Sequence, residues 1–349
     1  MHTNLILVLC GLAVVGFACQ WLAWRLKLPA ILFLLGTGIL VGPLLGWLDP
    51  DAVFGQLLTP IVSVAVAVIL FEGSLTLKLG EIRGHGSVVR NLVSVGVFVS
   101  WASGMLAASL ILGWDIYLAA LFGAVVTVSG PTVVMPLLRA VRPTANVSSI
   151  LRWESILIDP IGAILALLVF DVIISLQADN GLGHVAVALV TIVAVGTLLG
   201  VVGGYLFGLA IRNRVIPDLL RDYAALAAVL TVFGVAETAR AESGFLAVTI
   251  MGVWLANMRQ VDLADILEFK ESLALLLLGG LFILLAAKLD IEAMAGIGVG
   301  AIAILIVLQL VAGPLRAFFS AAGSPLSWRE ILYVGWVFPR GVVAAAVAC

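Results

Sequence analysis

The feature that most constrains this sequence is a series of apolar stretches, each about as long as a helix that crosses a lipid bilayer. An α-helix rises about 1.5 Å per residue, so about 20 apolar residues cross a hydrocarbon layer of about 30 Å. Twelve stretches meet this criterion, and we number them spans 1 to 12. They cover approximately residues 4–24, 28–48, 58–77, 88–112, 116–138, 149–176, 184–211, 222–239, 243–258, 270–288, 293–316 and 328–349. The sequence therefore predicts an all-α polytopic membrane protein.

The composition excludes a soluble fold and several kinds of partner. Only 11% of the 349 residues are charged and 63% are hydrophobic, whereas about a quarter of the residues of a soluble domain are charged. The net charge of -2 offers no basic face for nucleic acid. The three cysteines form neither a disulfide framework nor a metal-ligand set. We therefore expect the lipid bilayer as a partner, and neither nucleic acid nor a cofactor.

Basic residues gather in alternate connections between the spans, which predicts the orientation of the chain. Cytoplasmic connections carry the excess of Lys and Arg. One set of connections and span ends contains Arg25, Lys27, Lys78, Arg83, Arg90, Arg139, Arg142, Arg152, Arg212, Arg214, Arg221, Arg259, Lys270 and Arg329. The opposite set contains only Arg240 and Lys288. This asymmetry predicts an N-terminus outside the cytoplasm.

Two further patterns concern packing and domain organisation. Span 7 carries Gly196, Gly200, Gly204 and Gly208 at four-residue spacing, a stripe that lets a neighbouring helix approach closely. No Ser/Gly linker divides the chain, so residues 1–349 are predicted to form one transmembrane domain. The chain ends nine residues after Arg340, too few to complete a crossing, so we expect that the rest of span 12 is missing.

Five charged residues stand out inside the predicted spans. They are Glu72, Glu154, Asp159, Arg316 and Arg340. Because a charge at mid-bilayer costs a few kcal/mol even on insertion scales, each of them is a functional hypothesis. Glu72 lies near the end of span 3, where it either surrounds an ion entrance or extends to the interface.

The most informative stretch is WESILIDP, residues 153–160. Ser155 and Asp159 are four residues apart, which places a hydroxyl and a carboxylate on one helical face. Pro160 has no N–H and therefore frees the carbonyl of Ile156. These oxygens suit a dehydrated monovalent cation, and the same carboxylate could instead hold a proton. The alternative is a helix-packing Asp that is hydrogen-bonded to its neighbours.

Glu154 and Arg316 are predicted to form a buried ion pair. Glu154 points about 100° away from Ser155 around the helix, so it needs a partner of its own. Arg316 would otherwise be an isolated cation deep in span 11. The alternative is that Arg316 contacts a transported anion.

Two spans are interrupted by proline and glycine. Span 5 contains TVSGPTVV at residues 127–134, with Gly130 and Pro131 at its centre. Span 12 contains FPRGVVAA at residues 338–345, which includes Pro339, Arg340 and Gly341. A pair of interrupted spans in two halves of a chain indicates a transporter with inverted repeats, whose unwound carbonyls form an ion site. A simple proline kink is the alternative for either span alone.

These stretches together resemble the cation/proton antiporter superfamily, the sodium/proton exchangers. The resemblance covers essentially the whole chain. The matching strings are FEGSLTL at 71–77, TVSGPTVV at 127–134, WESILIDP at 153–160, VAGPLRAFF at 311–319 and FPRGVVAA at 338–345. It implies thirteen helices with two inverted six-helix repeats. The first repeat would cover about 1–176 and the second 222–349, joined by the linker helix 184–211.

The resemblance also implies roles for individual residues. Asp159 would alternately bind cation and proton, with Ser155 as a ligand, and Glu154 and Arg316 would be the stabilising pair. Further contacts would come from Thr127, Ser129 and Glu72. It further implies a homodimer in the plasma (inner) membrane of a prokaryotic cell, an elevator-like movement, and a C-terminal cytosolic regulatory domain beyond residue 349.

Two departures from the family pattern bear on stoichiometry. Gly130 stands where the family often has an aspartate, and Ile158 stands where it usually has Asn or Asp. A single titrating carboxylate favours electroneutral exchange, because each binding event then trades one positive charge for another.

The sequence therefore predicts a secondary antiporter that exchanges Na⁺ or K⁺ for H⁺ by alternating access. The alternatives are an anion transporter of the same fold, with Arg316 or Arg340 as the anion contact, and a passive channel. An intramembrane enzyme is disfavoured because His2, His85 and His184 lie at termini or in connections, and no HExxH motif is present.

Overall fold

The computed structural model describes residues 5–82, 84–130, 134–135, 137–138, 141–177, 183–259, 264–291 and 298–337. Within these ranges the chain is helical and contains no strand. Seven helical runs there are long and apolar enough to cross a membrane. They are Leu5–Leu26, Pro50–Ser74, Gly86–Leu112, Ala145–Leu176, Gly183–Arg212, Asp218–Ala239 and Val299–Ser320. Four shorter apolar helices lie among them, so the predicted all-α membrane fold is confirmed.

The helices of the first half follow the predicted spans closely. They are α1 (Leu5–Leu26), α2 (Ala30–Ile39), α3 (Leu58–Ser74), α4 (Gly86–Leu92), α5 (Val95–Leu112) and α6 (Ile116–Val126). A π-helical turn at Leu40–Leu44, which contains Pro43, extends α2. A short helix, Pro50–Phe54, and a 3₁₀ turn, Gly55–Leu57, lead into α3, and another 3₁₀ turn, Leu79–Ile82, follows it.

The helices of the second half are longer on average. They are α7 (Ala145–Gln177), α8 (Gly183–Arg212), α9 (Arg221–Ala239), α10 (Ser243–Asn257), α11 (Ala264–Ala287), α12 (Val299–Val307), α13 (Gly313–Ser320) and α14 (Trp328–Trp336). A π-helical turn, Leu308–Ala312, joins α12 to α13, and a 3₁₀ turn, Asp218–Leu220, precedes α9.

Span 4, predicted as one helix over 88–112, is instead divided into α4 and α5. The break lies at Val93–Ser94, where the Ser94 hydroxyl donates a 2.7 Å hydrogen bond to the carbonyl of Arg90. A serine in the middle of a helical run offers the backbone such an alternative partner. The two helices together, Gly86–Leu112, still form one run that is long enough to cross a membrane, as predicted for span 4.

The buried apolar side chains fall into two main groups of helices. One core contains residues of α1, α2, α3, α8, α9, α10 and α11, and we call these helices the first bundle; Val128 and Ala163 of the other group also pack into this core. A second set of clusters joins α4, α5, α6, α7, α12, α13 and α14, and we call these helices the second bundle. Large apolar side chains such as Phe17 and Leu110 are exposed on the outside. Charged side chains lie inside the second bundle, as a lipid environment demands.

The glycine stripe of α8 lies directly against α10, as predicted. A Cβ atom at Gly200 would sit 2.5 Å from the carbonyl oxygen of Ala247, and one at Gly204 would sit 3.1 Å from that of Met251. A Cβ at Gly208 would meet the Met258 sulfur. The small residues therefore allow the two backbones to approach closely.

We expect Gly200→Ala to destabilise the protein, because the added methyl group meets a backbone oxygen that cannot rotate away. Overpacking of this kind costs about 1–3 kcal/mol. The measurement is the midpoint of thermal unfolding in detergent. The matched control is Gly234→Ala in α9, where a Cβ would meet nothing within 4 Å. Equal midpoints for the two variants would contradict the close contact.

Candidate functional site

The centre of the site is a buried ion pair between α7 and α13. Arg316 Nη1 lies 2.6 Å from Glu154 Oε1, and both side chains are 1% exposed. The hydroxyl of Ser129, in the stretch that follows α6, donates a 3.0 Å hydrogen bond to the same carboxylate oxygen. The structure therefore brings together the two residues that the sequence analysis paired, and it adds Ser129 to them.

The stretch that carries Ser129 is not helical. The Thr127 hydroxyl caps α6 by donating a 2.8 Å hydrogen bond to the carbonyl of Gly123. Residues Val128 to Gly130 are buried and have no regular structure, and Val134 N donates to the Gly130 carbonyl where the helical geometry resumes. Span 5 is thus interrupted at the place where its sequence predicts an interruption.

Several predicted site residues lie outside the described residues. These are Pro131 of span 5 and Pro339, Arg340 and Gly341 of span 12. The predicted interruption of span 12 and the role of Arg340 therefore remain predictions. The same applies to the pairing of two interrupted spans.

Asp159 lies one turn beyond Ser155 on α7 and is 2% exposed. Among the residues that the structure describes, no group donates a hydrogen bond to Asp159 Oδ1. The Ser155 hydroxyl is fully buried and donates a 3.0 Å hydrogen bond to the carbonyl of Arg152. Its oxygen therefore keeps acceptor capacity for a cation or a proton donor.

This face of α7 lies against the unwound stretch. Ser155, Asp159 and Gly162 follow one another at spacings of four and three residues, which places them on one side of the helix. A Cβ atom at Gly162 would collide with the side chain of Val128. Pro160 lies inside α7 and leaves the carbonyl of Ile156 without its intrahelical donor.

The two buried carboxylates have different surroundings, and this difference decides what each can do. A charge in a low-dielectric interior requires a partner of opposite charge and hydrogen bonds. Glu154 has both, from Arg316 and Ser129. Asp159, by contrast, keeps a buried oxygen without a donor. The arrangement is therefore able to hold one proton or one small cation on Asp159.

For Thr127 and Glu72, the structure gives a position but assigns no role in cation binding. Thr127 is buried beside the unwound stretch, and its hydroxyl proton is engaged by α6 itself. Glu72 lies in the last turns of α3, which belongs to the first bundle, and is half-buried. Their predicted contacts with the cation remain predictions.

Sequence reasoning missed the side of the ion pair that α5 covers. A Cβ atom at Gly96 would lie 3.1 Å from Arg316 Cγ and 3.0 Å from Ser320 Oγ. Asn91 Nδ2 donates a 3.1 Å hydrogen bond to the Ser320 carbonyl, which fixes α13 next to the α4–α5 break. In the sequence, this contact could have been suspected only from Asn91 and Gly96, a polar and a small residue in an otherwise apolar run.

An acidic cluster between α9 and α10 was also missed. Glu237 accepts hydrogen bonds from the backbone N–H groups of Glu242, at 2.9 Å, and of Gly244, at 3.2 Å. Burial, with an added contribution from the negative charge of Glu237, raises the pKa of Glu242 from 4.5 to about 7. Glu242 has a left-handed backbone conformation with φ of 67°.

This shift predicts how stability depends on pH. The folded state holds the Glu242 proton more tightly than the unfolded state, so folding loses stability as pH rises from about 4.5 to about 7. We expect Glu242→Gln to raise the unfolding temperature above pH 7 and to have little effect near pH 4.5. The measurement is the unfolding temperature of the variant and of the unchanged protein across this pH range. A difference between the two temperatures that stays constant with pH would contradict the prediction.

Comparison with known proteins identifies a family for nearly the whole chain. The family model described as "Sodium/hydrogen exchanger, transmembrane" matches residues 8–349. Na(+)/H(+) antiporter 1 of Methanocaldococcus jannaschii is 25% identical over 97% of this chain and 81% of its own length. The K(+)/H(+) antiporter NhaP of Alkalimonas amylolytica is 27% identical over 98% of this chain, which spans 59% of that relative.

A solved structure shares the fold. The structure of the sodium proton antiporter MjNhaP1 from Methanocaldococcus jannaschii at pH 8 aligns with a TM-score of 0.85. The two sequences are 24% identical, and the alignment covers 99% of this chain and 84% of that one. At this identity the match establishes the shared architecture of the helices.

Proposed function

Because the chain belongs to the sodium/hydrogen exchanger family and is a monovalent cation:proton antiporter of the membrane, we propose that Asp159 is the group that carries both ions. The cation would be Na⁺ or K⁺, and relatives named for each are similar to this chain. Ser155 and the freed carbonyl of Ile156 are the nearest additional oxygen ligands in our proposal. Gly130 and Ile158 supply no side-chain oxygen.

The observation that carries this proposal is the unpartnered oxygen of Asp159. Its carboxylate is buried and its Oδ1 lacks a donor among the described residues, whereas Glu154 beside it is neutralised by Arg316. A buried carboxylate without compensation is expensive, so the ion-free, deprotonated form is poorly populated. A proton and a cation then compete for one site, which couples the two fluxes in opposite directions. One charge exchanged for one charge makes the cycle electroneutral.

Alternating access would result from movement of the second bundle, which contains α7, relative to the first. The interrupted α6 supports this role, because unwound backbone at membrane depth is tolerated where it lines an ion site. The proposal also includes two inverted repeats, over about 1–176 and 222–349. We further propose that the protein is a homodimer in a prokaryotic cell, with its N-terminus outside the cytoplasm and a regulatory segment on the cytosolic side.

The ion pair argues against Arg316 as the contact of a transported anion. The guanidinium of Arg316 contacts the Glu154 carboxylate at 2.6 Å, so its positive charge is compensated within the protein. An anion that bound there would have to displace this carboxylate.

The test is a transport assay on the full-length protein in proteoliposomes that contain a pH-sensitive dye. We expect Na⁺ or K⁺ added outside to move protons outward across the vesicle wall, and the rate to be unaffected by an imposed membrane potential. Proton movement that depends on an anion and ignores both cations would contradict the proposal. Cation flux without proton movement would indicate a channel.

A further inference from the structure

A separate apolar cavity lies on the other side of α7 from Asp159. Its volume is about 460 Å³, and it separates α7 from α8 and α10. Its wall includes Trp153, Leu157 and Ile161 of α7, Tyr205 of α8, and Ile250 and Val253 of α10. Almost the whole surface of the cavity is carbon, so it suits an apolar ligand.

The cavity is distinct from the ion site. Trp153, Leu157 and Ile161 recur every four residues and therefore form one face of α7. Leu157 is two residues from both Ser155 and Asp159, which places it about 160° away from each around the helix. The face with Trp153, Leu157 and Ile161 thus points away from the oxygen ligands, and the cavity borders the ion site only at Pro160, which also lines it.

At one end of the cavity, residues of the wall are followed or preceded in the chain by basic residues. Leu79 and Met258 line this end, and the neighbouring Lys78 and Arg259 are exposed. Asn257 joins the two segments, because it accepts a 2.8 Å hydrogen bond from Leu79 N and donates one to the Leu77 carbonyl.

Two more basic residues complete this rim. Arg212 is exposed one turn beyond Gly208, which packs against Met258. Arg152 precedes Trp153, and its Nη1 lies 3.4 Å from Glu81, the acidic side chain that compensates part of the charge. We define the basic rim as Lys78, Arg152, Arg212 and Arg259. The rim is positive overall even with Glu81 included.

The depth and the side opening of the cavity fit a lipid chain. The cavity extends along α10 from Leu246 to Asn257, which corresponds to about 16 Å of helix. One leaflet contributes about half of the roughly 30 Å hydrocarbon layer, so the two lengths agree. Tyr205 and Trp254 belong to the wall and are also exposed on the outer surface, so a chain can enter from the side.

We propose that this cavity binds one acyl chain of an anionic phospholipid, with the lipid phosphate at the basic rim. The four residues of the rim belong to the set of connections and span ends that carries most of the Lys and Arg, which predicts that the rim lies on the cytoplasmic side. Anionic lipids on that side attract basic residues next to the membrane. The bound chain occupies the gap between the two bundles. Insofar as the proposed function requires these bundles to move, the lipid slows exchange.

The experiment measures binding directly and needs no ion gradient. The full-length protein in detergent is mixed with phosphatidylglycerol or phosphatidylcholine of the same chains, and bound lipid is counted by native mass spectrometry. We expect one phosphatidylglycerol to bind in preference to phosphatidylcholine. Lys78→Gln and Arg259→Gln are each expected to weaken binding about fivefold, the effect of losing one basic residue near an anionic surface. Arg25→Gln, on a helix that does not line the cavity, is expected to change nothing.

The second part of the binding experiment fills the cavity with a larger side chain. Val253→Trp is expected to abolish binding, while Leu276→Trp, which enters a different apolar cavity, retains it. A Val253→Trp variant that fails to fold is replaced by Trp153→Phe, because Trp153 lines the cavity and is only 4% exposed; losing this tryptophan should reduce fluorescence quenching by a phospholipid with brominated chains. Equal binding of the two lipids by the unchanged protein, retention by folded Val253→Trp, or unchanged quenching in Trp153→Phe would each overturn the proposal. Loss of ion exchange with intact lipid binding would instead contradict the proposed function alone.

Discussion

Asp159→Asn is expected to abolish proton movement driven by Na⁺ or K⁺ in proteoliposomes. The asparagine side chain has nearly the same shape, but it cannot take up a proton or neutralise a cation at neutral pH. Because Asp159 is 2% exposed and no described group donates to its Oδ1, no neighbouring group replaces that function. We expect the initial rate to fall to that of vesicles without protein.

Two companion variants make this result specific. Ser155→Ala removes one oxygen ligand and is expected to raise the cation concentration at half-maximal rate severalfold while exchange persists. Asp171→Asn, twelve residues further along α7, changes a carboxylate of the same helix about 18 Å away along the axis, and it should exchange normally. Undiminished exchange in Asp159→Asn, with normal yield and unfolding temperature, would show that another group carries the ions.

Glu154→Gln is expected to cause the largest loss of stability of any single substitution discussed for this protein. The guanidinium of Arg316 is 1% exposed, and the substitution removes the carboxylate that compensates its buried charge at 2.6 Å. Removing one member of a buried pair costs about 3–5 kcal/mol. The midpoint of thermal unfolding in detergent should therefore fall sharply.

A double-variant cycle separates the pair from the packing of each side chain. Arg316→Met alone leaves a buried carboxylate and should be destabilised to a similar extent. The double variant Glu154→Gln/Arg316→Met carries no buried charge here and should be more stable than the sum of the single changes predicts, by a coupling of about 0.5–3 kcal/mol. Ser129→Ala, which loses one neutral donor to Glu154 Oε1, should cost about 1.5–3 kcal/mol. Strict additivity would contradict a direct interaction.

The sequence predicts much of the fold because a bilayer imposes a length on every helix. Span 7 was placed at 184–211 and α8 covers Gly183–Arg212, and span 1 at 4–24 corresponds to Leu5–Leu26. The end of α6 was also predictable, because Gly130 and Pro131 both weaken a helix. The pairing of Glu154 with Arg316 followed from the cost of an isolated charge in lipid.

The sequence did not predict how side chains approach one another across helices. Ser129 was assigned to the cation, whereas its hydroxyl donates to Glu154. Hydrophobic patterns report which residues avoid water, and in a bilayer almost every position of a helix does so. They therefore carry no information on which glycine, such as Gly96, meets Arg316. The Glu237–Glu242 cluster depends on a left-handed residue between two helices, which no periodic pattern encodes.

The glycine stripe between α8 and α10 has a mechanical consequence. Where a missing side chain allows a backbone oxygen to sit at the van der Waals limit, as between Gly200 and Ala247, neither helix is able to slide along the other without a steric clash. Under the proposed movement of the bundles, these two helices would act as one wall, and the displacement would fall at the boundary between this wall and α7, where the apolar cavity lies. A substitution in the stripe would then shift the wall as a whole and change the rate of that movement.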